Sequence, residues 1–202
     1  MEIASRAEVS RRVPVTFLHD EGEVMTRICE AALAGNSVAW IRNTVDDARE
    51  SWEALRSLPE LDPERITLFH SRYALSDRLD IETRVLDMLG KASRHEQRRG
   101  QIVVGSPVLE VGLDYCVDVL IVDMAPIDAL MQRAGRLHRH VRDALGNPAA
   151  TEGRPPPVLH VFAPEWSDDP PAQWYRSRFR RAATIYPDTG RLWLSQRILL
   201  QT

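Results

Sequence analysis

The chain has 202 residues, of which 44% are apolar and 27% charged, enough for the core of one globular domain. The net charge of −3 excludes a protein that binds nucleic acid by overall basicity, so any polyanion site must be a local cluster of basic residues. Two distant cysteines, Cys29 and Cys116, exclude a disulfide framework and a cysteine-rich zinc site. The first fifteen residues lack the apolar core of a signal peptide, and no run is long enough to span a membrane. We therefore expect a cytoplasmic chain with no membrane partner.

Short apolar runs alternate with longer amphipathic segments along the chain. Strands are expected at 14–18, 37–41, 66–70, 101–106, 117–123 and 158–163, and helices at 21–33, 45–58, 75–90 and 127–139. The helix at 75–90 rests on a stripe formed by Leu75, Leu79, Leu86 and Leu89. Nearly continuous hydrophobicity in the strands fits a sheet covered on both faces, so the pattern predicts an α/β fold with a mostly parallel sheet. Ligands of such folds bind in the loops after the strands.

A Pro-rich segment divides the chain. Residues 147–157 (NPAATEGRPPP) form a loop or insertion, residues 1–146 form one domain, and residues 158–202 continue that domain or begin a C-terminal extension. Within the last part, 171–182 has a helical pattern, whereas 191–200 is ambiguous. We expect the aromatic residues Trp166, Trp174 and Tyr175 to pack in the core or between domains rather than to stack on bases. We expect the arginines Arg176, Arg178, Arg180 and Arg181 to end a solvated helix rather than to touch DNA.

The basic stretch MQRAGRLHRH (131–140) raises the question of a phosphate site. If residues 129–140 are helical, Gln132, Arg136 and Arg139 fall at i, i+4 and i+7 on one stripe. Arg133 then lies about 100° away. Guanidinium groups bind phosphate oxygens bidentately, so the shared stripe suits a polyphosphate ligand. Spacing alone leaves open a charged, exposed helix face.

The phosphate-binding loop G-x-x-x-x-G-K-[ST] is absent from the sequence. Lys91 is the single lysine, Val85 stands where the first glycine belongs, and Ala92 stands where the Ser or Thr belongs. Asp20, after the first strand, has the position of a Walker B acid, but without that loop we expect it to cap the next helix. The histidines at 138 and 140 lack the spacing of helical metal ligands, so no metal site is expected.

Gly112 and Asp114 lie between the strands at 101–106 and 117–123. A glycine lets a backbone approach a phosphate, and a carboxylate can accept a hydrogen bond from a sugar hydroxyl. Together, SPVLEVGLD and QRAGRLHR resemble motifs V and VI of superfamily-two helicases. With LFHSRYALSDR, they resemble more narrowly the helicase lobe of the CRISPR-associated helicase-nucleases of type I systems. The resemblance is clear from about residue 37 to 140 and looser beyond.

This resemblance implies a RecA-like three-layer fold, the second lobe of an ATP-driven translocase on single-stranded DNA. Gln132, Arg136 and Arg139 would meet the γ-phosphate of ATP, the two arginines as fingers, and Gly112 and Asp114 would touch the nucleotide. A first lobe, absent from this chain, would supply the phosphate loop and most of the ligands of Mg²⁺, so the chain alone is expected to be inactive. The implied partners are single-stranded DNA, the first RecA-like lobe, a nuclease domain in the same protein or a separate subunit, and the CRISPR interference complex.

Five further residues resemble the family's DNA-backbone contacts: Asn43, Thr44, Ser71, Arg72 and Ser106. Their amide, hydroxyl and guanidinium groups suit sugar-phosphate contacts. Thr44 could equally cap a helix, and Arg72 could be a surface residue. The family commonly has Thr-Gln where this chain has Ser106-Pro107, and the proline lacks a backbone donor.

Two other functions stay open. The chain could be a non-catalytic interaction module of the interference complex. It could also be the second lobe of another superfamily-two helicase, such as a restriction or repair helicase.

Overall fold

The computed structural model describes residues 12–110 and 112–201. The strands are β1 (Val15–Leu18), β2 (Val38–Ile41), β3 (Ile66–Phe69), β4 (Ile102–Gly105), β5 (Val119–Asp123) and β6 (Leu159–Phe162). The helices are α1 (Glu21–Leu33), α2 (Val45–Arg56), α3 (Leu75–Leu89), α4 (His95–Arg98), α5 (Ile127–Ala134), α6 (Trp174–Arg178), α7 (Ala182–Ile185) and α8 (Thr189–Leu200). Residues 1–11, which include most of the segment weighed as a signal peptide, lie outside this description.

The six strands form one sheet in the order β1-β6-β5-β2-β4-β3, and every neighbouring pair is parallel. All residues of β2, β3, β4 and β6 are buried, as expected for strands covered on both faces. The predicted α/β class with a parallel sheet is confirmed. Among the described residues, no helix has the length and apolar character needed to cross a bilayer.

The segment after the Pro-rich loop belongs to the same sheet. β6 pairs with β1 on one side (Val15 with Leu159) and with β5 on the other (Leu120 with Leu159). Trp174 and Tyr175 then pack into the core shared by the sheet. The part of the chain from β6 to α8 therefore builds on the first part rather than standing apart from it.

Two helix starts follow from their capping residues. The Asp20 carboxylate accepts a hydrogen bond from the Glu23 backbone N–H at 2.9 Å and begins α1. The Thr44 hydroxyl accepts from the Asp47 N–H at 3.1 Å and begins α2. Both satisfy donors that the first helical turn leaves unpaired. The prediction of Asp20 as a cap is confirmed.

Helix α3 forms where its leucine stripe predicts, but most of that stripe points outward. Leu89 is fully buried, whereas Leu75, Leu79 and Leu86 are 73%, 53% and 38% exposed. Val85 supplies the other buried contact of this helix. The helical period was therefore right, and α3 keeps an apolar face that the rest of the described chain does not cover.

Helix α5 is shorter than the predicted helix at 127–139. It ends at Ala134, and Val117 pairs with the segment that follows. The Val117 N–H donates to the Arg136 carbonyl at 3.1 Å, and the His138 N–H donates to the Val117 carbonyl at 3.0 Å. His138 has a φ of +48°, which turns the chain before Arg139. The single helical stripe of Gln132, Arg136 and Arg139 is therefore wrong, because tertiary pairing replaces the last helical turn.

Candidate functional site

The loop between β4 and β5 meets the segment after α5. The Arg139 Nε donates to Asp114 Oδ1 at 2.5 Å, across 25 residues of sequence. The Arg136 Nη2 donates to the backbone carbonyl of Glu110 at 2.6 Å. We call Glu110, Asp114, Arg136 and Arg139 the finger cluster. The structure thus brings three of the predicted nucleotide residues together without the helix that was expected to align them.

Arg136 lies over an aromatic ring. Its guanidinium carbon is 5.8 Å from the centre of the Tyr115 ring, and burial raises the pKa of this phenol. The contact leaves one guanidinium face against an uncharged ring, an arrangement that arginine favours. Among the described contacts, the buried Nε of Arg136 has no hydrogen-bond partner. Arg136 therefore keeps a donor free.

Arg133 supports the cluster from beneath. It is fully buried, its Nε donates to Glu110 Oε1 at 2.7 Å, and its Nη1 donates to the Asp123 carbonyl at 3.0 Å. Glu110 thereby holds Arg133 with its side chain and Arg136 with its backbone. The sequence analysis missed Glu110, although an acidic residue within the apolar run PVLEVGL is a signal that it has a buried partner.

Asp114 carries a negative charge beside Arg139, His140 and Arg136. Its hydrogen bond from Arg139 lowers the pKa of the carboxyl, against an opposing effect of burial. His140 Nε2 lies 3.3 Å from the same oxygen, and burial lowers the pKa of this imidazole. The side chains of Arg139 and Asp114 are 43% and 55% exposed, so both can reach a ligand.

The other two predicted nucleotide residues flank the cluster. Gly112 has a φ of +85°, which favours glycine, and a side chain there would point into open space. Gln132 is exposed on α5. Within the described residues it makes no hydrogen bond to the finger cluster. The structure thus places Gly112 in the loop of the cluster and leaves Gln132 separate from it.

Two predicted DNA contacts are turned inward. Asn43 and Ser106 are each 2% exposed. The Asn43 Nδ2 donates to the Met124 carbonyl at 2.8 Å and to the Tyr175 hydroxyl at 2.9 Å. The Ser106 hydroxyl is buried, and no described group bonds to it. In this conformation neither side chain presents a donor to the surface.

The remaining predicted DNA contacts lie at the surface after β2 and β3. Ser71 and Arg72 are exposed, and the Arg72 Nη1 donates to Asp46 Oδ1 at 2.6 Å. Thr44 and Arg72 line a cleft of about 730 Å³. Its other lining residues are Glu21, Arg42, Asp46, Asp47, Glu50, Arg176, Arg178, Phe179, Arg180, Arg181, Thr184 and Ile185. We call this the arginine cleft.

A metal centre does not emerge from the described residues. No group of three or more His, Cys, Asp or Glu side chains in 12–110 and 112–201 is arranged to hold an ion.

Comparison with known proteins identifies relatives for most of the chain. Residues 34–142 match the family described as CRISPR-associated nuclease/helicase Cas3, C-terminal. The CRISPR-associated endonuclease/helicase Cas3 of Escherichia coli K12 is 33% identical over 188 residues, which is 85% of this chain and 20% of that protein. The chain thus spans about a fifth of the length of this relative.

Solved structures show the same fold. Crystal structures of T. fusca Cas3 and of T. fusca Cas3-AMPPNP superpose with TM-scores of 0.77 and 0.75, at 26% and 27% identity. Each superposition includes all of this chain and 22% of the solved chain. A chain of a pre-nicking CRISPR RNA-guided surveillance complex superposes with a TM-score of 0.62 at 25% identity, covering 95% of this chain and 25% of its own. The RecA-like architecture implied by the sequence motifs is therefore confirmed.

Proposed function

Since this chain belongs to the CRISPR-associated nuclease/helicase Cas3 family and matches its C-terminal part, we propose that it is the second motor lobe of an ATP-dependent single-stranded-DNA translocase. One observation carries the proposal. The loop that holds Gly112 and Asp114 meets Arg136 and Arg139 in one cluster. The loop that would contact the nucleotide and the two candidate fingers therefore lie together.

The chemistry of the finger cluster fits a nucleoside triphosphate. Arg139 offers exposed guanidinium donors beside Asp114, two residues from Gly112, where a side chain would meet open space. The Arg139–Asp114 pair is exposed, and such pairs contribute about 0–1 kcal/mol. A phosphate oxygen can therefore replace Asp114 as the partner of Arg139, and Asp114 is then free to accept from a sugar hydroxyl. ATP supplies the phosphoryl group whose transfer to water drives such motors.

The roles within the cluster divide by burial. Arg139 is exposed and would reach the transferring phosphoryl group, where a finger is worth about 10³–10⁵ in rate. Arg136 lies between Tyr115 and Glu110 and would act from a more fixed position. Gln132 would approach from α5. Mg²⁺ and the phosphate loop belong to the first lobe in this proposal, because the chain lacks that loop.

The remaining partners follow from the same proposal. Single-stranded DNA would run along the loops after β2 and β3, where Thr44, Ser71 and Arg72 lie. The first RecA-like lobe would close over the finger cluster. The nuclease domain and the CRISPR interference complex would be engaged by the longer assembly to which this lobe belongs.

Complementation tests the motor function. We expect the purified chain alone to show no appreciable ATP hydrolysis. Added to a first-lobe protein with an intact phosphate loop, it should restore hydrolysis stimulated by single-stranded DNA. Arg139→Ala should lower that rate at least about 10³-fold. Arg99→Ala, an exposed arginine outside the finger cluster, is the matched control and should leave the rate unchanged.

Two results would overturn the motor function. One is hydrolysis by the chain alone that Arg136→Ala abolishes, because it would require a complete active site here. The other is restored hydrolysis that Arg139→Ala does not reduce, because the finger would then have no role.

A second candidate function is favoured by the outer face of α3. Leu75, Leu79 and Leu86 present exposed apolar surface on one helix, a feature typical of interaction sites. In that case the chain is a non-catalytic module that binds a partner of the interference complex. The first-lobe mixture then shows no ATP hydrolysis, and binding to the partner survives Arg139→Ala.

A further inference from the structure

The arginine cleft has a wall that the sequence motifs do not contain. We propose that Arg176, Arg178 and Arg180 bind the phosphates of single-stranded nucleic acid in this cleft, an inference that rests on the proposed translocase function. They lie on the segment from α6 to α7, outside the stretch that carries the helicase motifs. This extends the DNA track to a part of the lobe expected only to be a solvated helix end.

Burial orients the arginine segment. Trp174, Tyr175, Phe179 and Ala182 are each at most 5% exposed and hold the chain against the core. The expected single helix over 171–182 breaks at Phe179, which has φ −119° and ψ 65°. The three arginines fall between these anchors and are all exposed on the cleft side. Packing therefore fixes the position of this segment, and the Arg178 guanidinium carbon lies 5.8 Å from the centre of the Phe162 ring.

The same segment is bonded to the loop where the motifs predict a DNA contact. The Tyr175 hydroxyl donates to the Met124 carbonyl at 3.0 Å and meets Asn43 Nδ2 at 2.9 Å. Asn43 was predicted to touch DNA, and here its amide supports the arginine segment from inside. Tyr175 thus holds the segment that carries the three arginines in the cleft that Thr44 and Arg72 also line.

Charge pairing singles out these three arginines. The cleft is lined by six arginines and four carboxylates. Each carboxylate already has an arginine partner, in the pairs Glu21–Arg42, Asp46–Arg72, Asp47–Arg181 and Glu50–Arg181. Within 12–110 and 112–201, Arg176, Arg178 and Arg180 take part in no ion pair. They concentrate positive charge in a chain whose net charge is −3.

The remaining lining favours nucleic acid over an acidic protein. Guanidinium groups bind phosphate bidentately, and a phosphodiester chain offers a repeated charge to a row of arginines. The hydroxyls of Thr44 and Thr184 already donate within the chain, to Asp47 Oδ2 at 2.6 Å and to the Arg181 carbonyl at 2.7 Å, so the phosphate contacts fall to the arginines. Ile185, 53% exposed at the same cleft, offers apolar surface to a sugar or base. An acidic peptide would pair with the arginines but has no sugar or base to contact Ile185.

A binding experiment on the whole chain tests the inference. The variant R176A/R178A/R180A is compared with R84A/R94A/R99A, three exposed arginines that do not line the cleft. Both lose three positive charges. Affinity for a fluorescein-labelled oligothymidylate is measured by fluorescence anisotropy at several salt concentrations, after circular dichroism has shown that both variants fold.

We expect the cleft variant to bind about 10- to 100-fold more weakly at low salt. The slope of log affinity against log salt should become shallower by about 2, since each lost phosphate contact removes about 0.7. The control variant should lose far less in both measurements. Glu50→Gln is a second test, because it removes one of the two carboxylates paired with Arg181 and with it a charge that repels phosphate, and it should tighten binding about two- to threefold.

Each negative result points to a different proposal. Equal weakening in both triple variants overturns the proposal that the arginine cleft binds nucleic acid but leaves the motor function standing. If the unaltered chain does not bind the oligothymidylate, both that proposal and the proposed DNA contacts after β2 and β3 are overturned. Equally tight binding of polyglutamate, lost in the same variant, overturns the choice of nucleic acid. Failed ATPase complementation with intact, cleft-dependent DNA binding overturns the motor and leaves the cleft.

Discussion

Two sets of arginines in this lobe differ in where their donors go. Arg98, Arg142 and Arg154, the buried arginine cluster, are at most 9% exposed, and fixed groups of the chain take up most of their donors. Arg142, for example, donates to the carbonyls of Ser93, Gly146 and Gly90 at 2.6–2.8 Å. By contrast, Arg139 has one exposed partner, Asp114. Of the arginines that line the cleft, Arg176, Arg178 and Arg180 take part in no ion pair within the described chain.

The difference follows from the cost of burying charge. A buried guanidinium is tolerated only when carboxylates or carbonyls surround it, so it becomes part of the frame. An exposed guanidinium keeps its donors for a ligand. The arginines of the cleft also lie at a different end of the sheet from the buried cluster. Asp118 and Ser37, which precede β5 and β2, join the buried cluster, whereas the cleft is lined by loops that follow β2 and β3. Ligands of parallel sheets bind at that second end.

The largest effect should come from the carboxylate at the centre of the buried cluster. Asp118 accepts from Arg98 at 3.0 Å, from Arg154 at 2.8 Å and from Ser37 at 2.6 Å. Asp118→Asn leaves two buried guanidiniums short of their counter-charge, which costs about 3–5 kcal/mol. For a chain of this size we expect the melting temperature to fall by about 10 °C, measured by differential scanning calorimetry.

Asp128→Asn is the control for that change. Asp128 also pairs with an arginine, Arg191, at 2.9 Å, but both side chains are more than half exposed. Its removal should alter the free energy of unfolding by less than about 1 kcal/mol. Equal losses in the two variants would contradict the distinction between buried and exposed arginine pairs.

A smaller effect should appear as the pH is lowered. His160 is buried on β6, and burial together with Arg27 lowers its pKa to about 4. In the unfolded chain its pKa is about 6.5, so only the unfolded state takes up a proton between these values. The stabilising effect of the neutral imidazole is complete above pH 6.5 and is lost as the pH falls toward 4.

His160→Gln removes this proton linkage. The pH dependence of the free energy of unfolding should become shallower by up to about 1.4 kcal/mol per pH unit between pH 6 and 4.5, measured by urea titration. In the folded protein, Asp118 stays ionised over this pH range. Burial opposes its ionisation, but Arg98 and Ser37 outweigh that effect and hold the pKa of its carboxyl at about 2. Parallel curves for the two proteins from pH 8 to 4.5 would refute this account of His160.

Local patterns predicted the frame of the lobe well. The strands are short, almost wholly apolar runs because both sheet faces are covered, and no distant contact is needed to recognise them. Asp20 was recognisable as a cap for the same reason, since the bond that it accepts lies three residues away. The missing phosphate loop was equally a property of one short segment.

The candidate site depends on distant contacts, and there local patterns failed. The end of α5 is set by pairing with Val117, which no helical period reveals. Arg139 meets Asp114 across 25 residues, although the helix that was expected to align them is absent. Asn43 turns inward because its amide bonds to the Tyr175 hydroxyl. Local patterns could not show this, since Tyr175 lies 132 residues along the chain. Motif resemblance named Asp114, Arg136 and Arg139, which the structure brings together, but it did not show which face each would present.

The smallest effect should come from the finger itself. The Arg139–Asp114 pair is short, at 2.5 Å, yet 43% and 55% of the two side chains are exposed, so water and salt compensate for most of its loss. We expect Arg139→Ala to change the free energy of unfolding by no more than about 0.5 kcal/mol in urea titrations. A double-mutant cycle with Asp114→Asn should give a coupling below about 1 kcal/mol. A coupling of several kcal/mol would place Arg139 among the frame arginines and remove the reason to expect that it can leave Asp114 for a phosphate.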